Sequence, residues 1–327
     1  AEAALAVALA LGRAGDDPAA VVASLNNLGR VQRYRGEAAA AERSYREAMA
    51  LAEALGPTGQ PSLQLSLDGL ARSLLLAGRR EEALDLLERS LALAVSLYGP
   101  HADVVASAHN ELANVLHDLG RWEAAEQHYL ASSRIEAATS GEDSPRYAVA
   151  LNNLASLAED RGDLETAGVL FRQSLAIREA ALPPGDPSVQ RSQLNLVRWL
   201  LRTGGLDEAA ARLADALDGL QARPGPELAR ARLLEAELWL RRGEREEAAR
   251  RLDDIEIEDS PRSRGLQAQR ELLRAEIAEA RGDAGAARRA RARARAQHPA
   301  KGGPDSPRAR RIRDLLGPAR PPPARGP

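Results

Sequence analysis

A glycine recurs along this chain at an almost constant interval, and this feature constrains the fold more than any other. The step is 42 residues between the first five of these glycines and 39 residues for the last two, which gives Gly36, Gly78, Gly120, Gly162, Gly204, Gly243 and Gly282. A period of this length is typical of repeat proteins, in which each repeat buries its core against its neighbours. The sequence therefore predicts an array that leaves a long surface free for binding.

Residues at the same distance from each repeat glycine are similar in size from one repeat to the next. An alanine stands five residues after all seven glycines, and a bulky residue stands nine residues after the first six, namely Tyr45, Leu87, Tyr129, Phe171, Leu213 and Leu252. Leucine stands eight residues before the first five, and a small residue stands seven before each glycine except at Val197. Apolar residues spaced by three and four on both sides of a glycine predict two amphipathic helices joined by a tight turn.

The composition excludes several kinds of site. The chain has no cysteine, so disulfides, thiolate zinc sites and thiol nucleophiles are excluded. No segment approaches the roughly 20 apolar residues that a membrane-spanning helix needs. Residues 283–327 carry 12 basic side chains against Asp283, Asp305 and Asp314, although the whole chain has a net charge of −2. An acidic body thus precedes a basic end.

Residues 298–327 form a basic tail rich in proline and arginine. Within it, Ser306 and Pro307 favour a helix start and Gly317 favours a helix stop, so we expect a short capping helix at about 307–316. The preceding run RRARARARA at 288–296 has two interpretations, which are contact with phosphates of nucleic acid and a solvated end that neutralises the acidic body. Because no aromatic residue lies among these arginines, we favour the second interpretation and expect no nucleic-acid partner.

Two further runs carry a family resemblance. SLNNLG at 24–29 and ALNNLA at 150–155, with the loop GPHADVV at 99–105, make the chain similar to tetratricopeptide repeats, and in particular to the longer repeats of kinesin light chains. The resemblance implies an all-α, right-handed solenoid of tandem helix-turn-helix repeats over residues 1–297, with a truncated leading repeat followed by seven helix pairs. The opening run resembles residues 41–51, and we expect the sequence to be a fragment of a longer protein.

The resemblance also implies where a ligand would lie, because the first helix of each pair lines the concave face of tetratricopeptide arrays. Positions 13, 9, 6 and 2 residues before each repeat glycine share one face of that helix, and we call them the groove positions. The predicted peptide-binding residues are Asn27, Arg30, Arg72, Asn114, Asn153, Arg191, Asn195 and Arg198. An asparagine amide donates and accepts hydrogen bonds, which suits a peptide backbone, and arginine prefers carboxylates.

Two alternatives to this assignment stay open. The asparagines would instead cap turns or bond within the array, and the arginines would instead line a solvated wall, paired with Glu111, Asp118 and Asp160. A sharper hypothesis is that the groove grips a C-terminal carboxylate, because Asn114, Asn153 and Arg191 occupy offsets similar to those of the carboxylate clamp of tetratricopeptide co-chaperones. Asn110 and Asn195 stand where that clamp has a lysine and an arginine.

No residue pattern predicts catalysis, a cofactor or a metal. His109 and His117 lie on one predicted helix, but eight residues place them about 80° apart, and we interpret His109 as a packing residue. The three tryptophans fall at helix-packing offsets, so we assign them to the core. The chain contains no nucleophile elbow, phosphate-binding glycine loop or zinc-ligand spacing.

The sequence therefore predicts a noncatalytic scaffold that binds a protein or peptide ligand, acidic or held by its C-terminus. The alternative function is a C-terminal sensing or substrate-docking region of a larger bacterial signalling protein, such as a serine/threonine kinase or a regulatory ATPase. We expect a cytoplasmic location, or a periplasmic one if a membrane span precedes the segment. The exposed end repeats would permit self-association.

Overall fold

The computed structural model describes residues 2–221, 225–260 and 263–297, and the regular structure in these ranges is helical throughout. The chain divides into two compact units, which meet in sequence between Glu142 and Asp143. The predicted capping helix at 307–316 lies outside the described residues. None of the described helices is both long and apolar enough to cross a membrane.

The first unit contains α1, three helix pairs and a short 3₁₀ helix that joins α3 to α4. The helices are α1 Glu2–Ala14, α2 Pro18–Tyr34, α3 Ala38–Ala54, the 3₁₀ helix Gly56–Gly59, α4 Gln60–Leu76, α5 Arg80–Tyr98, α6 Asp103–Asp118 and α7 Trp122–Ser140. Within each pair the two helices pack against each other, and α3 packs against α4 of the next pair.

The described part of the second unit contains four helix pairs. They are α8 Pro145–Arg161 with α9 Leu164–Ala181, α10 Pro187–Thr203 with α11 Leu206–Gln221, α12 Pro226–Arg241 with α13 Arg245–Asp253, and α14 Arg264–Ala280 with α15 Ala284–Gln297. Helix α13 has 9 residues, whereas α9 has 18, so the second helix of a pair is not uniform in length.

Glycine is required at the turn inside each pair. All seven repeat glycines have φ between +77° and +89°, which is the left-handed region that side chains with a Cβ rarely adopt. Several first helices begin at a side-chain cap followed by proline. The Ser144 hydroxyl accepts from the Tyr147 amide at 3.1 Å before α8, and the Asp186 carboxylate accepts from the Ser188 amide at 2.7 Å before α10. The turn and the caps together explain the predicted helix-turn-helix unit.

The core follows the register that the sequence predicts. The alanines five after each glycine and the bulky residues nine after it are all buried, with at most 4% of the surface exposed. Of the leucines eight before the glycine, Leu70, Leu112 and Leu196 are buried, whereas Leu28 and Leu154 are only partly buried. Small residues thus let paired helices approach closely, and bulky residues fill the space between successive pairs.

Aromatic rings occupy the space that glycines leave on neighbouring helices. The Tyr45 ring lies against Gly29 and Gly69, and a Cβ at Gly69 would overlap this ring. Gly69 stands at a groove position by its spacing, yet it is buried beneath Tyr45. Likewise, Trp199 covers Gly168, and its indole Nε1 donates to the Leu164 carbonyl at 2.9 Å. Trp199 packs against the core of the second unit, as predicted.

Candidate functional site

In the first unit the predicted asparagine and arginine of α2 contact each other. Asn27 and Arg30 are both exposed, and Arg30 Nη2 donates to Asn27 Oδ1 at 3.1 Å. This pair is one turn apart, as expected for two residues on the same face of a helix. Both side chains remain reachable by a ligand from solvent.

Arg72 of α4 is held by a carboxylate from the next repeat. Its Nε donates to Glu111 Oε2 at 3.0 Å and its Nη2 donates to Glu111 Oε1, so the pair is bidentate. Burial raises the pKa of Glu111, and the nearby Asp68 raises it further, whereas Arg72 lowers it. The predicted alternative, in which an arginine of the groove wall pairs with Glu111, describes this contact.

An open cavity of about 330 Å³ lies beside this ion pair. Its lining comes from α4, α5 and α6 and consists of Arg72, Leu75, Arg80, Glu111, Asn114, Val115 and Asp118. The structure therefore brings together two predicted residues, Arg72 and Asn114. Asn114 is exposed, and its Oδ1 accepts from the Tyr129 hydroxyl at 2.7 Å. Arg80 pairs with Asp118 at 3.3 Å, so both arginines of the cavity have carboxylate partners.

Large apolar side chains are exposed at other groove positions of the same unit. Tyr34 is 63% exposed at the end of α2, and Leu65 and Leu76 of α4 are 57% and 55% exposed. Each of them stands 13 or 2 residues before a repeat glycine. The first helices α2 and α4 thus present apolar surface to solvent beside arginines.

In the second unit the predicted residues lie on α8 and α10. Asn153 of α8 is partly buried, and Arg191 and Arg198 of α10 are exposed. Asn195 is only 8% exposed, and its Nδ2 donates to Asn152 Oδ1 at 2.9 Å. This bond within the array fits the alternative interpretation of the asparagines.

The clamp hypothesis involves residues of both units. Asn114 belongs to the first unit, whereas Asn153 and Arg191 belong to the second. The clamp therefore stays a prediction, as does the assignment of the eight residues to peptide binding.

Two arginines of α10 share one buried carboxylate. The Glu159 side chain of α8 is 4% exposed, and its Oε2 accepts from Arg198 Nη2 at 2.9 Å. Arg202 Nη1 donates to the Glu159 carbonyl at 3.0 Å and lies 3.3 Å from its Oε1. Two guanidinium groups thus share one buried carboxylate.

Arg178 is a buried charged residue of the second unit that no sequence pattern singled out. It lies near the end of α9 and is 5% exposed, and its Nη1 donates to the Ser188 carbonyl at 3.2 Å and to the Ser192 hydroxyl. Sixteen residues after the glycine, where Arg178 stands, other repeats bury Ala52, Ala94, Glu136 and Leu220. This offset alone therefore does not single out Arg178.

His109 packs against a histidine that the sequence analysis did not consider. The Nδ1 atoms of His109 on α6 and His128 on α7 are 2.8 Å apart, so one ring donates and the other accepts. Burial lowers the pKa of His109 to about 4, helped by His128, and burial also lowers the pKa of His128. Among the described residues, no three or more His, Asp, Glu or Cys side chains form a group that could hold a metal.

Family models for the tetratricopeptide repeat match residues 21–58, 62–135 and 104–180. No protein of curated function matches the chain by sequence. The crystal structure of BtubC (BKLC) from P. vanneervenii is 26% identical, with a TM-score of 0.59 over 69% of this chain and 93% of that one.

Two further solved structures share the fold at lower identity. Nearly identical TPR-like repeats of a putative kinesin light chain from Podosopora anserina are 23% identical, with a TM-score of 0.53 over 62% of this chain and 97% of that one. The apo form of the quorum sensor NprR from B. thuringiensis is 15% identical, with a TM-score of 0.70 over 90% of this chain and 81% of that one. The repeat glycines, the buried register and these matches agree, and the chain belongs to the tetratricopeptide repeat family, with repeats like those of kinesin light chains.

Proposed function

We propose that this chain is a noncatalytic scaffold that binds an extended peptide or a partner helix along the exposed positions of its first helices. The observation that carries the proposal is that several exposed apolar side chains and arginines stand together at groove positions. In the first unit, these residues are Tyr34, Leu65 and Leu76 beside Arg30 and Arg72. Exposed apolar side chains with polar neighbours are typical of protein-binding surfaces.

The second unit supports an acidic ligand. Its helix α10 carries Arg191, Arg198 and Arg202, and the last two share the carboxylate of Glu159. Guanidinium groups bind carboxylates with two parallel hydrogen bonds, which a peptide with Asp, Glu or a free C-terminus can supply. The alternative function, docking or sensing within a larger signalling protein, depends on the sequence resemblance alone and stays a prediction.

Selection from a library of random peptides tests the proposal. Peptides selected on the unaltered chain should bind at least about tenfold more weakly to the double variant Arg191→Gln, Arg198→Gln, because both changes remove exposed positive charge from groove positions. The matched control is Arg172→Gln, Arg212→Gln, which removes one exposed and one partly buried arginine from the second helices α9 and α11, where they pair with Glu208 and Glu179. Equal binding by both variants, with unchanged helicity, would show that the groove assignment is wrong.

A further inference from the structure

An open pocket of about 240 Å³ lies between α13, α14 and α15 in the second unit. We call it the α15 pocket. Its wall includes the apolar residues Leu252, Ile277, Ala286 and Ala290. None of its lining residues stands at a groove position, so the pocket is separate from the surface proposed to bind a peptide. Because a cavity of about 150 Å³ already holds a benzene molecule, the α15 pocket has room for an aromatic ring with a short side chain.

The pocket is open because α15 is small where the second helices of most other repeats are large. Eight residues after the repeat glycine, α15 has Ala290, whereas the other repeats have Ser44, Leu86, His128, Leu170, Arg212 and Arg251. In α11, the residue at this position reaches the preceding second helix, since Arg212 Nη1 lies 3.4 Å from Glu179 Oε1 of α9. Alanine is too short to span this gap, and the space beside α13 stays unfilled.

A buried carboxylate holds two arginines beside the pocket. Glu271 of α14 is 3% exposed, and its Oε1 accepts from Arg274 Nη1 at 2.8 Å. Its Oε2 accepts from Arg293 Nε of α15 at 2.6 Å. Eight residues before the glycine, where Arg274 stands, the first five repeats have leucine and the sixth has Glu235. The last described repeat thus places a network of charges next to its pocket.

Arg293 keeps donors that a ligand can use. Its two Nη groups donate to no acceptor within the described part of the chain. The other charged groups at the pocket already have partners, because Asp253 accepts from Arg274 at 3.0 Å and Arg281 donates to Glu246 at 3.0 and 2.6 Å. The Asp283 carboxylate accepts from an amide of the first turn of α15 at 2.8 Å. A ligand with a negative charge therefore complements Arg293.

We propose that the α15 pocket binds a small aromatic carboxylate, a class of free organic acid of which phenylacetate is the simplest example. The ring lies against Leu252, Ile277 and Ala290, and the carboxylate accepts two parallel hydrogen bonds from the Nη groups of Arg293. An aromatic ring suits the pocket better than an aliphatic chain, because guanidinium groups in the wall also attract the face of a ring. Glu271 holds Arg293 in place before the ligand arrives, which reduces the cost of ordering that side chain. This site does not depend on the proposed function.

Three probes separate the contributions of the ring and the charge. They are phenylacetate, its neutral counterpart phenylethanol, and acetate, each titrated into the full chain while the methyl resonances of Leu252 and Ile277 are followed by NMR. We expect a saturable shift with phenylacetate, weaker binding of phenylethanol, and no binding of acetate over the same concentrations. A negative charge without a ring would not benefit from the apolar wall.

Two variants with matched controls test the two halves of the pocket. Ala290→Leu, which places there the residue type of Leu86 and Leu170, should fill the pocket and weaken phenylacetate binding at least about tenfold. Its control is Ala292→Leu, at an exposed position of the same helix. Arg293→Gln should weaken phenylacetate binding about fivefold and leave phenylethanol binding unchanged, because only the first ligand has a charge. Arg288→Gln, also exposed on α15, is the control for this loss of charge.

Several results would overturn this proposal. They are the absence of a saturable shift, equal binding of phenylacetate and acetate, and unchanged phenylacetate binding in Ala290→Leu. If phenylacetate does not bind and Ala290→Leu instead shifts the amide resonances of residues 298–327, the end of the chain occupies the pocket and the proposal is wrong. If Ala290→Leu does not fold, the comparison of Arg293→Gln with Arg288→Gln still decides.

Discussion

The two units use the same buried register but present different chemistry at their groove positions. In the first unit, Tyr34, Leu65 and Leu76 are exposed, and Arg72 forms a bidentate ion pair with Glu111. In the second unit, Arg191 has no partner among the described residues, and Arg198 and Arg202 share Glu159. At these positions the first unit is therefore mainly apolar, with Arg72 compensated by Glu111, whereas three arginines of α10 in the second unit have one carboxylate partner among the described residues.

This difference teaches that the positions that build the core of a repeat are separate from those that are free to vary at its surface. Buried positions tolerate little change in volume, because close packing penalises both cavities and overlaps. Exposed positions of the first helices are free of this constraint, so each repeat can carry a different side chain. A ligand that touches both kinds of surface would need apolar side chains for the first unit and carboxylates for the second.

The largest expected effect tests whether the units really share one core register. Tyr129 and Phe171 stand nine residues after their glycines in the first and second unit, and each is 1% exposed. Because truncation leaves a cavity, Tyr129→Ala and Phe171→Ala should each lower the free energy of unfolding by about 3–5 kcal/mol. Urea denaturation measures this loss.

The matched controls are neighbours on the same helices that face solvent. Leu130 is 39% exposed and Val169 is 61% exposed, so Leu130→Ala and Val169→Ala should change stability by no more than about 0.5 kcal/mol. A core variant with the stability of its control would contradict the common register. If the units unfold in separate transitions, Tyr129→Ala should shift one of them and Phe171→Ala the other.

The helix pairs could be predicted from the sequence because their determinants are local and repeat. The glycines with positive φ, the alanines five residues later and the bulky residues after them each recur at fixed offsets, and the structure shows them in turn and core as predicted. The same periodicity correctly assigned Trp199 to the core. Gly69 was an exception, because the Tyr45 ring that covers it comes from another helix.

Side-chain partners across helices were harder to predict. The bonds from Tyr129 to Asn114 and from Arg198 to Glu159, and the contact between His109 and His128, depend on how two helices face each other. The distance of a residue from its repeat glycine predicts the face of the helix on which the residue lies. It does not predict which side chain of a neighbouring helix the residue contacts. Arg178 lies on a second helix, outside the groove positions, and its burial depends on its contacts with Ser188 and Ser192 of α10.

Lowering the pH should change the stability of the first unit through its pair of partly buried histidines, His109 and His128. Burial and His128 lower the pKa of His109 to about 4, whereas the unfolded chain titrates near its ordinary value of 6.5. Between these values the unfolded state binds more protons, so this contribution to stability is complete above pH 6.5 and is lost as the pH falls towards 4. His109→Gln should flatten the pH dependence of the unfolding midpoint over this range.

Two carboxylates of the same unit act in the opposite direction, so the variant must be compared with the unaltered chain. Burial raises the pKa of Asp68 and of Glu111, and protonation of these groups as the pH falls therefore favours the folded state. Asn110→Gln, which replaces one neutral side chain of the same helix α6 by another, is the control and should keep the pH dependence of the unaltered chain. Identical profiles for His109→Gln and the unaltered chain would contradict the assigned role of the histidine pair.

The smallest expected effect comes from removing the carboxylates that pair with groove arginines. Glu111→Gln removes the carboxylate that occupies Arg72, and Glu159→Gln removes the one shared by Arg198 and Arg202. Each variant should bind a labelled hexaglutamate peptide about two- to fivefold more tightly at fixed ionic strength, as measured by fluorescence anisotropy. Glu208→Gln, which releases the exposed Arg172 on α9, is the control of equal charge change. If all three variants bind equally more tightly, net charge explains the gain, and the distinction between compensated and uncompensated groove arginines is wrong.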